Sequence, residues 1–163
     1  MKTLVYSLFL LIGLISCYPD RNRILMLEKR IDSLQKNIAE TYKPGFGEFM
    51  SGILVHHAKL WFAGINQNWE LADFEIHEIK ELRDDITRYE TDRKESPLIV
   101  SLDPALDSVN YAIQHKDLVI FKNSFIYLTN TCNNCHLGVN YKFNSVKIPD
   151  TPPFSNQVFK KEK

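Results

Sequence analysis

The stretch Asp117–His136, DLVIFKNSFIYLTNTCNNCH, decides how the rest of the chain is interpreted. Its apolar side chains recur every three or four residues, at Leu118, Phe121, Phe125, Leu128 and Cys132. This spacing places them on one face of a helix, and the aspartate that opens the stretch is a favoured N-cap residue. The stretch therefore predicts a long helix that ends in a cysteine pair, Cys132 and Cys135, followed at once by His136.

Three further helices are predicted upstream of this one. They run from Phe46 to about Ile65, from the Asn68 cap to Tyr89, and from the Asp103-Pro104 cap through Ile113. A polar connection, Thr91–Ser101, separates the last two, and no strand pattern competes. Four helices joined mostly by short turns predict an all-α fold, an antiparallel four-helix bundle over residues 44–140. The charged residues between Asp73 and Asp85 are expected to form a solvated helix face.

Two segments flank the predicted bundle. The first carries isoleucine and leucine alternately at 3-4-3-4 spacing, at Ile24, Leu27, Ile31, Leu34 and Ile38. This seam favours a parallel two-stranded coiled coil, and hence a homodimer through residues 24–38, or else a short amphipathic helix lying on its own domain. The second segment, 141–163, contains Pro149, Pro152 and Pro153 and is expected to be an extended strap.

The first 16 residues read as an export signal. Lys2 is followed by a nearly unbroken apolar run, Leu4–Leu14, which is short for a bilayer span. The sequence Leu-Ile-Ser-Cys that ends at Cys17 resembles the bacterial lipoprotein signal, which is cleaved before a cysteine that receives diacylglycerol. The resemblance implies a lipid anchor on Cys17, a linker and heptad helix over 17–43, and a location at the periplasm or cell surface of a bacterium. A plain signal that leaves a free thiol is the alternative.

The composition excludes one class of partner. The 163 residues, enough for one ordinary domain, include 20 Lys plus Arg and 20 Asp plus Glu, which gives no net charge. A chain without a basic excess lacks the field that holds a nucleic-acid backbone, so no nucleic-acid partner is expected.

The string Cys132-Asn133-Asn134-Cys135-His136 has the spacing of a c-type haem attachment site. A three-residue offset puts both sulfurs on one side of a helix, where they can form thioethers with the two vinyl groups of a porphyrin, and His136 follows as the proximal iron ligand. A redox dithiol, a zinc site and a disulfide are the alternative interpretations of the cysteine pair. There is no second Cys pair, the chain is expected to leave the cytosol, and a disulfide leaves His136 unexplained, so one covalent haem c per chain is predicted.

The ligand on the other face of the iron separates an electron carrier from a gas binder. In an up-down bundle the end of the fourth helix adjoins the start of the first, which favours Met50 as the distal ligand. His57, two turns further on, is the alternative, and an open site is the third reading. Trp61 and His57 are expected near the haem pocket, with burial of aromatic surface as the simpler role for Trp61.

A helical bundle with C-x-x-C-H near the end of its last helix resembles the cytochrome c′ family. The segments HAKLWFAG at 57–64, NWELA at 68–72 and PPFSNQ at 152–157 also look like a little-characterised group of bacterial monohaem proteins, over roughly Lys43 to Phe159. The resemblance implies haem binding and a redox role. The heptad helix and the residues after His136 depart from the cytochrome c′ pattern, and we expect the strap to fold over an exposed haem edge.

These features together predict a lipid-anchored monohaem cytochrome that transfers single electrons between redox protein partners at a membrane surface. A five-coordinate sensor or scavenger of a diatomic gas such as NO or CO is the alternative, and a haem-stapled structural lipoprotein is another. No enzymatic activity is expected, because the sequence has no nucleophile with a base and no phosphate-binding loop.

Overall fold

The computed structural model describes residues 20–41 and 44–161. Within these ranges the chain is all-helical, without a strand, so the all-α class is confirmed. Five α-helices occur, namely α1 Arg21–Glu40, α2 Phe46–Ile65, α3 Trp69–Tyr89, α4 Asp103–Gln114 and α5 Leu118–Gly138. A 3₁₀ helix, Ser96–Leu102, lies between α3 and α4. Residues 20–41 and 44–161 belong to two separate compact units.

Two of the predicted helix caps are present. The Asn68 side chain accepts from the Leu71 amide at 3.3 Å, and Asp117 accepts from the amides of Val119 and Ile120 at 2.8 and 2.9 Å. Each cap follows a residue with left-handed backbone, Gln67 at φ 56° and Lys116 at φ 54°. These two turns reverse the chain tightly enough for α2 to pack on α3 and for α4 to pack on α5.

The core of the second unit is built from the apolar faces of α2 to α5, and α2 also contacts α5. That approach depends on Gly64, because a Cβ atom added there would overlap the ring of Phe121. Phe121 is fully buried in this core.

We expect Gly64→Ala to destabilise the fold. Overpacking of a core costs about 1 to 3 kcal/mol, and the helix propensity gained by replacing glycine recovers about 1 kcal/mol of it. Gly138→Ala is the matched control, because its added Cβ would meet Leu98 at an ordinary 3.7 Å. Urea unfolding should show a lower midpoint for Gly64→Ala alone. Equal midpoints for the two variants would contradict this packing.

The connection between α3 and α4 differs from the prediction. It contains the 3₁₀ helix, which buries Ile99 and Leu102, so the expectation of a merely polar linker was wrong. Asp103 also does not act as a cap, since it is the first residue of α4 and its carboxylate pairs with Arg83 instead. Pro97 fits here because a helix's first turn needs no amide donor at that position.

The charged face of α3 is only partly solvated, so the expectation that all of it is solvated was wrong. Glu75 is completely buried, and it pairs with two side chains of α2. Lys59 Nζ lies 2.7 Å from its Oε1, and His56 Nδ1 lies 2.6 Å from its Oε2. A buried carboxylate requires partners of this kind, because an unpaired charge inside a protein is strongly unfavourable.

The strap, residues 141–161 as far as described, contains neither helix nor strand. Val146 and Ile148 pack against the core beside α5. Further along, Phe159 is buried with its ring centroid 5.7 Å from that of Phe62, near the end of α2. The strap therefore returns along the helices, although Phe143 at its start is 85 % exposed.

The helix α1 has a side-chain cap at its N-terminus and an exposed apolar seam. Asp20 caps it by accepting from the Asn22 amide at 3.0 Å. The five seam side chains, from Ile24 to Ile38, are each between 41 % and 72 % exposed.

Candidate functional site

A cavity of about 330 Å³ lies where the last turns of α5 meet the first turns of α2. Cys132, Cys135 and His136 all line it, together with Met50 from α2. The 3₁₀ helix supplies the apolar side chains of Ile99 and Leu102, and the start of the strap closes another side. The structure thus brings the predicted attachment string and the first predicted distal ligand to one cavity.

A second, smaller cavity of about 50 Å³ adjoins the same residues. It shares Met50, Cys132 and His136 with the first cavity, and adds Ile53 and His57 from deeper in α2. The two cavities therefore share a set of possible sulfur and imidazole ligands.

The two cysteines are free thiols on one side of α5. Cys132 is buried and Cys135 is partly exposed. Burial, together with the neighbouring Cys135, raises the pKa of Cys132 to about 12, and burial also raises the pKa of Cys135. Both sulfurs are therefore protonated at neutral pH in the folded chain.

His136 is held in one tautomer by the strap. Its Nδ1 lies 2.5 Å from the backbone carbonyl oxygen of Asn144. Because a carbonyl can only accept, Nδ1 must carry the hydrogen. The lone pair of the neutral ring is then on Nε2, which is the state an imidazole needs to bind a metal through that atom.

His57 is 3 % exposed, and its Nε2 lies 2.9 Å from Thr129 Oγ1 on α5. Thr129 donates its hydroxyl hydrogen to the carbonyl of Phe125, at 2.9 Å. The hydroxyl oxygen therefore accepts from His57, and Nε2 carries a hydrogen rather than a lone pair. Burial lowers the pKa of His57 to about 4, so the ring is neutral at pH 7.

Trp61 lies elsewhere. Its ring packs on Phe125 and Phe121, with centroid distances of 4.9 and 6.3 Å, and it lines neither cavity. The structure therefore does not bring Trp61 together with the cysteine pair, and its contacts are those of a core aromatic.

Three cavity residues were not anticipated from the sequence. The Tyr141 hydroxyl donates to Glu95 Oε1 at 3.1 Å, and Arg93 Nε lies 3.4 Å from Glu95 Oε2. The Arg93 guanidinium also lies 5.1 Å from the ring centroid of Phe46. Arg93 and Glu95 come from a loop and Tyr141 comes from the strap. Neither segment has a periodicity that marks a buried face.

No protein-family model, curated protein or solved structure matches this chain. The likeness to cytochrome c′ accordingly rests on the quoted residues and remains a prediction.

The remaining predicted features lie away from the cavity or outside the described residues. Cys17 is in the latter group. Two further histidines, His77 and His115, also lie away from the cavity, and their Nδ1 atoms lie 2.7 and 2.8 Å from the backbone carbonyl oxygens of Asp73 and Tyr111. Across 20–41 and 44–161, none of the helices has both the length and the apolar character needed to cross a membrane. The same ranges contain no cluster of three or more His, Cys, Asp or Glu side chains able to hold a bare metal ion.

Proposed function

We propose that this chain is a lipid-anchored monohaem c-type cytochrome that passes single electrons between redox proteins at a membrane surface. The observation that supports it most is the shared cavity of Cys132, Cys135 and His136, in which the histidine keeps a lone pair on Nε2. A dithiol or a disulfide needs no adjoining imidazole in that state.

The proposed architecture for α2 to α5 is the antiparallel four-helix bundle of the cytochrome c′ type. It is supported by contacts between each helix and the next in the chain, and by the contact of α2 with α5 that closes the set. In such a bundle the end of α5 lies beside the start of α2, and both of these ends contribute residues to the cavity.

Each residue of the site has a distinct task. Cys132 and Cys135 would hold the porphyrin through thioethers, each formed when the thiol adds across a vinyl group with its sulfur on one carbon and its hydrogen on the other. His136 Nε2 would hold the iron. Haem, when bound, supplies a one-electron iron couple. The apolar side chains of Ile99 and Leu102 exclude water from the cavity.

Met50 is the proposed distal ligand. Its thioether lines both cavities, and the nearby His57 has its Nε2 engaged with Thr129. For His57 to bind iron through Nε2, that buried hydrogen bond would have to break. A thioether has no such bond to lose, and methionine with histidine is a ligand pair of electron-transfer cytochromes.

The membrane attachment is proposed through Cys17. An electron carrier held by its acyl chains stays near membrane-bound partners, and two or more chains are needed for a stable anchor. In the sequence, the linker and heptad helix of residues 17–43 come between this anchor and the cavity residues.

The second candidate is a haem sensor or scavenger of a diatomic gas. The observation in its favour is the smaller cavity, which is lined mostly by apolar side chains, with His57, His136 and Asn144 as its polar members. An apolar distal space of that kind admits small uncharged ligands when no protein ligand closes the iron.

Visible absorption spectra separate the two candidates. The exported chain is purified with its haem, and spectra are recorded oxidised and reduced, with and without carbon monoxide. Low-spin spectra that carbon monoxide leaves unchanged are expected for the electron carrier. A rapid spectral change of the reduced protein on adding carbon monoxide would favour the gas binder.

A second copy of this chain is the proposed partner of α1. With Ile24 at heptad position a, Arg23 falls at g and Glu28 at e, and these positions meet across a parallel pair. Both seam contact and charge therefore match in the parallel arrangement, which is also the one that puts two Cys17 anchors on the same side.

We expect Leu34→Lys to abolish this association, because it places a charge in the seam. Ser33→Lys adds the same charge outside the seam and serves as the control. Sedimentation equilibrium on the chain from Tyr18 onward should show a dimer for the control and a monomer for Leu34→Lys. A monomer for both, and for the unmodified chain, would overturn the proposed pairing.

A further inference from the structure

Short backbone hydrogen bonds fix the start of the strap relative to His136. The Tyr141 amide donates to the His136 carbonyl at 2.7 Å, and the Asn144 amide donates to the Tyr141 carbonyl at 2.9 Å. Asn140, between α5 and this turn, has left-handed backbone with φ 66°. The resulting turn carries the Asn144 carbonyl to His136 Nδ1.

One side chain of the attachment string holds the strap from the other direction. Asn133 Oδ1 accepts from the Val146 amide at 2.8 Å, and Asn133 Nδ2 donates to the Val146 carbonyl at 2.8 Å. A single amide side chain thus satisfies both polar backbone groups of Val146. Ser145 Oγ lies 3.5 Å from the same Oδ1. Asn134, the next residue, is exposed and lines neither cavity.

We propose that Asn133 is a positioning residue, which clamps Val146 so that the Asn144 carbonyl stays on His136 Nδ1 and sets the donor strength of Nε2. The clamp is two residues beyond Asn144, and Val146 also packs against the core, so the carbonyl is held from both sides. A histidine whose N–H donates to a fixed acceptor is a more basic metal ligand. A more basic ligand stabilises ferric over ferrous iron and lowers the reduction potential.

This inference rests on the proposed function, and the experiment separates the two. The full exported chain is loaded with haem as the parent and as Asn133→Ala and Asn134→Ala. The reduction potential of each is measured by spectroelectrochemical titration. Asn134→Ala removes the same amide from the neighbouring position, which lines neither cavity, so it is the matched control.

Asn133→Ala is expected to raise the reduction potential, whereas Asn134→Ala keeps the potential of the parent. A parent-like potential for Asn133→Ala would overturn the clamp and leave the haem protein intact. A parent chain that takes up no haem would instead overturn the proposed function.

Hydrogen exchange of the Val146 amide tests the clamp without any substitution, and so covers the case in which Asn133→Ala does not fold. In the haem-loaded parent this amide is expected to exchange at least tenfold more slowly than that of an unstructured chain. Exchange at the rate of an unstructured chain would overturn the proposal.

Discussion

Met50→Ala is expected to convert a low-spin haem protein that ignores carbon monoxide into one that binds it readily when reduced. The reason is that Met50 lines both cavities beside His136, so in the proposed site the loss of its thioether would leave the iron without its distal ligand. Because an intact sixth ligand must dissociate before a gas can bind, the expected rise in carbon monoxide affinity is large. The measurement is a carbon monoxide titration of the reduced protein, followed by visible absorption.

Leu54→Ala is the matched control for this variant. Leu54 is one turn further along α2 and lines the same two cavities, but a leucine side chain has no atom that binds iron. The control should enlarge the cavity and leave carbon monoxide binding as weak as in the parent. If Leu54→Ala and Met50→Ala behave alike, Met50 is not the distal ligand.

The second large effect concerns acid stability, which His57 is expected to limit. The pKa of this imidazole is 6.5 in an unfolded chain, and burial lowers it to about 4 in the folded one. The unfolded state therefore binds a proton that the folded state excludes. The contribution of the neutral ring is fully present above pH 6.5 and is lost as the pH falls through 4. Between pH 7 and pH 4.5 the loss is about 2 kcal/mol.

His57→Gln is expected to remove this part of the acid loss. A glutamine amide can still donate to Thr129 Oγ1, but it does not titrate. The free energy of unfolding in urea is compared at pH 7 and pH 4.5, with equal haem content throughout. His115→Gln, at an exposed histidine, is the control and should keep the acid loss of the parent. An undiminished loss in His57→Gln would show that His57 does not carry it.

The helices were predictable because local signals specify them. The Asn68 and Asp117 caps and the 3.6-residue periodicity of α2, α3 and α5 agree with their bounds in the structure. The grouping of Met50 with Cys132, Cys135 and His136 at one cavity was also expected, because an up-down order of four helices would place the end of the last beside the start of the first.

Other features depend on contacts between distant parts of the chain, which a single sequence does not display. Glu75 resembles its charged neighbours on α3, and only the approach of Lys59 and His56 from α2 makes its burial tolerable. Tyr111 fits an apolar helical position but is exposed and stacks on His115. The strap has no periodicity, so the bond from His136 to its backbone could not be predicted.

The measurement that tests the central claim most directly is the intact mass of the purified exported protein under denaturing conditions, recorded together with its absorption. Covalent attachment predicts a chain whose mass exceeds polypeptide plus lipid by one haem, and whose colour stays with it after unfolding. A colourless chain without that added mass, with Cys132 and Cys135 joined to each other, would contradict the account.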